Sequence, residues 1–118
     1  MNINTVCGIM SSMKPLYHPH RNEISLPGVL YALGDPIRLE IVKSLAVKGE
    51  QNCAALGRPI AKSTLSNHVR VLRESGIIYC HKEGTQQLNS LRREDLDACF
   101  PGLLDAILLA SGLTSLTH

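Results

Sequence analysis

The sequence predicts a mainly α-helical domain carrying one small β-hairpin, on three observations. Apolar residues recur at the helical period from Pro27 to Leu33, from Pro36 to Val47 and from Ala61 to Ser75. Glycine or proline punctuates these runs at Gly49, Gly57, Pro59 and Gly76. Beyond Gly76 the period changes, and two short runs flank Glu83-Gly84, as two strands joined by a tight turn would.

A chain of 118 residues with 44% hydrophobic content closes one core but not two. No apolar run approaches the roughly 20 residues that span a bilayer. The amino terminus shows no charged segment followed by an apolar one, so a cytoplasmic protein is expected. Cys7, Cys53, Cys80 and Cys99 lie far apart with no C-x-x-C pair, the pattern of free thiols in a reducing compartment. Residues 1–23 contain Pro15 and Pro19 and no period, and are expected to be a flexible tail. Residues 24–111 are expected to fold, with 112–118 as a C-terminal tail.

Local signals account for each element. Pro27 suits the first turn of a helix through Leu33. Asp35-Pro36 pairs an N-cap acid with proline at the first helical position. The helix it opens carries Ile37, Ile41 and Leu45 on one stripe and Leu39, Val42 and Ala46 on another, so it is expected at the centre of the core. A short helix from Gln51 to Leu56 and a longer one from Ala61 to Ser75 then form a helix-turn-helix, whose second helix is the reader. The strands Ile77–Lys82 and Thr85–Leu91 follow it directly and make it a winged helix-turn-helix. After Arg92 a short turn and a helix from Pro101 are expected.

The reader helix is the most informative segment. At 100° per residue Leu65, Val69 and Leu72 form one narrow stripe. Lys62, Ser66, Asn67, Arg70 and Arg73 gather opposite, with Ser63 beside them. Short hydrogen-bonding groups can reach base edges in a DNA major groove while cations meet phosphates. The chain's net charge is only +2, but between Arg58 and Arg93 seven basic residues face only Glu74 and Glu83. Positive charge is therefore concentrated where the reader and wing lie. His81, Lys82, Thr85 and Gln86 are placed at the wing tip, within reach of backbone or minor groove. His68 falls at the edge of the buried stripe, where a satisfied, partly buried histidine competes with a contact role.

The apolar stripe Leu96, Phe100, Leu103, Leu104, Ile107 and Leu108 is expected to form a two-fold dimer interface through the terminal helices. A dimer sets two readers on half-sites about one DNA turn apart, roughly 34–36 Å.

Other function classes fit less well. There is no Walker-type loop, G-x-G-x-x-G, H-E-x-x-H or G-x-S-x-G, so an enzyme is not expected. One Phe, three Tyr and no Trp leave no platform for stacking single-stranded bases. A winged-helix protein-interaction module without direct DNA reading remains the alternative. Arg70, Arg73 and Lys82 argue against it.

With these motifs in order, the chain resembles the ArsR/SmtB family of winged-helix repressors. Ala32-Leu-Gly-Asp-Pro-Ile-Arg-Leu-Glu-Ile-Val42 is similar to the family's opening "ALADPTRLRIL". Lys62 through Ile77 is similar to its reader "QSTVSRHLKVLREAGL", and His81-Lys-Glu-Gly84 stands at the wing's "RREG". The resemblance implies a homodimeric repressor of an inverted-repeat operator, released by an effector. It implies DNA contacts from Lys62, Ser63, Thr64, Ser66, Asn67, His68 and Arg70. Asn67 stands where the family often has Arg or Gln, and Asn favours adenine where Arg favours guanine.

The family's metal sites have no counterpart here. Asn52 and Ala54 occupy the positions of its Cys-x-Cys thiolates, with Cys53 between them. The final segment offers Asp95, Asp97 and Asp105 but no histidine before its last residue. No metal or cofactor is expected, and the effector is unnamed. Cys7, Cys53, Cys80 and Cys99 stand as thiol-sensor candidates. One arrangement would join Cys7, His18 and His20 on a mobile tail to Cys53 across a dimer. Another is oxidation at Cys80 or Cys99.

Overall fold

Capping side chains open the first two helices in the computed structural model, which describes residues 16–56 and 60–112. Ser25 Oγ accepts from the Gly28 N–H at 3.1 Å and starts α1 (Leu26–Leu33). Asp35 Oδ1 accepts from the Ile37 and Arg38 N–H groups at 2.8 and 3.1 Å and starts α2 (Pro36–Lys48). Those bonds favour the ionised acid and hold its pKa below the ordinary value. Gly49, at φ 81°, turns the chain out of α2.

The next segment differs from expectation. Gln51–Asn52 form a short strand, β1, and the helix α3 begins only at Cys53 and ends at Leu56. The reason is that Asn52 both pairs with Leu88 and accepts from the Ala55 N–H at 2.8 Å, so it caps the helix from outside. Helix α4 spans Lys62–Glu74 and gives way at Gly76 to β2 (Ile78–Glu83) and β3 (Gln86–Leu91). The three strands form an antiparallel sheet in the order β1-β3-β2, with Cys80 and Gln51 both opposite Asn89. The expected hairpin is therefore the larger part of a three-stranded sheet. The expected stops at Gly57 and Pro59, Cys7 and most of both tails lie outside the described residues.

Two further helices close the chain, α5 (Arg93–Cys99) and α6 (Leu103–Ala110). Only the second was expected, from Pro101. Helix α5 is stabilised by acids in its first turn, Glu94 and Asp95, which complement the helix dipole. Its Leu96 enters the core.

That core takes up part of the stripe expected at a dimer surface. Leu96, Leu104 and Leu108 are buried within the one chain, with Leu104 at 3% exposure. Phe100, Leu103 and Ile107 pack against the same cluster, beside Val29 and Leu33 of α1. The stripe turns inward because α5 and α6 fold back onto α1.

Two buried polar groups tie the elements together. Arg38 donates to the Ala32 carbonyl at 2.7 Å and the Tyr31 carbonyl at 3.3 Å, and lies 3.2 Å from His68 Nδ1. A guanidinium only donates, so Nδ1 is the acceptor. Asn89 sits on the central strand. It accepts from Cys80 Sγ at 3.1 Å and donates to the Gln51 carbonyl at 3.2 Å, linking both neighbouring strands.

Gly76, at φ 88°, lets Ile24 pass so closely that an added Cβ would lie 2.5 Å from its Cγ1. Gly76→Ala is expected to cost about 3 kcal/mol through overpacking and left-handed strain together. Gly84→Ala, also at positive φ but with nothing within 4 Å, should cost about 1 kcal/mol. Equal losses in urea unfolding would contradict the close approach. His68→Ala should cost about 2 kcal/mol, because it leaves a buried Arg38 donor without its acceptor. An unchanged denaturation midpoint would show that the pair adds nothing.

Candidate nucleic-acid interface

Helix α4 is amphipathic because its apolar residues fall three and four apart, and the fold uses that stripe as its anchor. Leu65, Val69 and Leu72 are buried, and the opposite face is left to solvent. Lys62, Ser63, Thr64, Ser66, Asn67 and Arg70 are all exposed, as the reading face requires. Arg70 does not swing freely. One guanidinium nitrogen donates to Asn67 Oδ1 at 2.5 Å and the other to Glu74 Oε1 at 3.2 Å. The asparagine and arginine are thus a preset pair on the helix surface, with the Asn67 amide nitrogen still available as a donor.

Two expected contacts leave this face. His68 is 8% exposed and lies against Arg38, the partly buried and satisfied setting weighed against a contact role from the sequence. Arg73 has a side chain only 12% exposed. It donates to the Tyr17 carbonyl at 3.1 Å and has Glu74 at 3.8 Å, because the chain before α1 runs along its flank.

The wing is divided in the same way. Lys82, Thr85 and Gln86 are exposed around a two-residue loop whose Gly84 takes φ 64°. His81 is half-buried instead, stacked 5.6 Å from Tyr79 and placed 3.7 and 3.8 Å from Glu50 and Glu83. Its ring is thus turned toward its neighbours and not freely presented at the tip. Gln86 Oε1 accepts from Asn52 Nδ2 at 2.9 Å, which links the wing to the end of β1. A cleft of about 630 Å³ separates α4 from α3 and the wing, with Leu65 and Val69 in its floor.

The described cysteines occupy unlike settings. Cys80 faces inward from β2, and burial pushes its thiol up to about 11, so it is a poor nucleophile. Cys53 and Cys99 are half-buried, and Cys99 Sγ lies 3.4 Å from the Arg21 carbonyl. Among the described residues no group of three or more His, Cys, Asp or Glu side chains could hold a metal ion. Among the described residues no helix is long and apolar enough to cross a membrane.

Sequence reasoning missed Arg38 and Asn52, which position His68 and Gln86. Each acts across a separation in sequence that no local period reports. The signal for Arg38 was only its place in a helix that is apolar on two sides.

An exposed polar and cationic helix face together with a hairpin that exposes Lys82 is a surface for a duplex groove, and known proteins bear the same reading. Residues 33–80 match the family model described as a helix-turn-helix domain. The HTH-type transcriptional regulator YceK of Bacillus subtilis is 33% identical over 82 residues, which cover 67% of this chain and 82% of YceK. The crystal structure of the ArsR family transcriptional regulator RHA00566 superposes with a TM-score of 0.59 at 27% identity, covering 74% of this chain and 97% of that one. The transcriptional repressor BigR from Xylella fastidiosa gives a TM-score of 0.57 at 31% identity, over 72% and 84% of the two chains. The exposed face of α4 and these likenesses together place the chain in the ArsR family of winged helix-turn-helix, DNA-binding transcriptional regulators.

Proposed function

We propose that the protein is a homodimeric cytoplasmic repressor that reads an inverted-repeat operator with α4 and leaves it when an effector acts. The observation that carries this reading is the continuous exposed row Lys62, Ser63, Ser66, Asn67 and Arg70, together with the exposed wing residues Lys82 and Thr85. Arg70, Lys62 and Lys82 meet phosphates, and Asn67 and the serines face base edges. Thr64 and Gln86 contribute from the margins. BigR is a repressor by name, and repression follows if the operator overlaps a promoter.

Dimerisation is assigned to a face next to the one expected from sequence. Leu26 and Leu30 of α1 are 42% and 49% exposed, and Leu109 of α6 is 43% exposed. Terminal helices that keep large apolar side chains in water suit a two-fold partner. For the effector, Cys53 and Cys99 are better thiol candidates than Cys80, whose thiol is shielded by burial.

In operator titrations across salt, Arg70→Ala should lower the slope of log affinity against log salt by about one per subunit engaged. Asn67→Ala should leave that slope unchanged and relax base preference at one position in each half-site, by about 1–3 kcal/mol. Identical effects of the two substitutions would contradict the division of roles. Leu30→Glu and Leu109→Glu should each give monomers in sedimentation velocity without changing the far-ultraviolet circular dichroism. Dimers that persist in both variants would exclude this face.

A further inference from the structure

Residues 16–20 lie along the joint between α4, β2 and α5, although their composition suggested a free tail. Three hydrogen bonds fasten them, each to a different part of the joint. Arg73 of α4 donates to the Tyr17 carbonyl at 3.1 Å. Arg92, just before α5, donates to the Pro19 carbonyl at 2.8 Å. Between them, the backbone N–H of Cys80 on β2 donates to His18 Nε2 at 3.0 Å. The His18 ring also lies 4.6 Å from the Tyr79 ring, tilted by 31°.

We infer that residues 16–20 form a strap clamping α4 to the wing, and that the clamp holds only while His18 Nε2 carries no proton. Strand β2 is an edge of the sheet, and the strap covers that edge by occupying its outward amide. The acceptors at the two arginine anchors are backbone carbonyls, which do not titrate. The third anchor does. An amide N–H can only donate, so Nε2 must offer a lone pair. A proton there sets N–H against N–H and adds a cation beside two guanidinium groups.

The surroundings of His18 act in the same direction. Facing it are Arg73 from α4, Tyr79 and Cys80 from β2, Arg92 and Asp95 from the start of α5, and its own neighbours His20 and Arg21. His81 stands behind the Tyr79 ring. Asp95 is bonded to Arg21 and Arg92, which hold its carboxyl below the usual range, so it stays ionised throughout. Cys80, pushed up to about 11, stays neutral.

Burial lowers the His18 pKa most, a backbone bond to Leu16 opposes this, and the charges of Arg73 and Arg92 lower it further. A docked histidine with a depressed pKa binds its proton less readily than a free one at 6.5. The clamp is therefore complete above 6.5 and is lost as pH falls through the lower docked value. Release uncovers the β2 edge and frees Arg73 as a second cation beside Arg70. None of this depends on operator binding.

The test is nuclear magnetic resonance on the full chain without DNA, from pH about 7.5 to about 5. Protection of the Cys80 amide against hydrogen exchange, corrected for intrinsic rate, should fall by up to roughly tenfold per pH unit between 6.5 and the lower docked pKa of His18, and level off below it. The His18 ring should titrate with the same midpoint, below 6.5. His18→Gln keeps an acceptor for the Cys80 amide and should lose the pH dependence, while His20→Gln should behave as the parent chain. Flat protection of Cys80 across the range, or an equal fall in His18→Gln, would overturn the clamp.

Discussion

The contact behind α4 governs what its outer face can do. Arg38 places its guanidinium under the end of α1, on the Ala32 and Tyr31 carbonyls, and against His68 of α4. One side chain thus joins three helices at the last turn of α1, where the Ala32 carbonyl faces Pro36 and finds no N–H four residues on. It also lies 5.2 Å from the Tyr31 ring centroid. A helix held at its middle by a rigid, multiply bonded group presents Ser63, Ser66 and Asn67 at a fixed rotation. Reading base edges requires that, since a turn of one residue would put Ser66 or the core-facing His68 where Asn67 stands.

The wing is fixed by a second polar centre of the same kind. Asn89 bridges the strands on either side of it, and Gln51 reaches from β1 to Ser44 of α2 at 3.0 Å. Buried amides with satisfied partners cost little and determine register, because a slip of one residue would strand every one of them. The wing tip is therefore positioned relative to α4 through α2, and not through the short connection at Gly76 alone. Residues 16–20 add a third tie on the outer side, and it is the one that a proton can release.

Much of the architecture was legible because it depends on neighbours in sequence. Asp35-Pro36, Gly49, Gly76 and the Leu65-Val69-Leu72 stripe act within one or two helical turns, so the chain alone determined where α2 begins, where α4 ends and which face of α4 is polar. The exposed row from Lys62 to Arg70 was likewise contained in the spacing of its residues.

What only the tertiary structure decided are the questions of which surface meets which. His68 and Arg73 sit at helical angles that suit either ligand or core, and distant partners, Arg38 and the Tyr17 carbonyl, drew both away from the reading face. Leu104 and Leu108 make a stripe that any apolar surface could cover, and the chain's own core took them in. The strap had no period to announce it, because its bonds run from single backbone carbonyls and one imidazole to residues more than fifty positions away. Periodicity reports which faces are apolar; only closure of the core decides what each face touches.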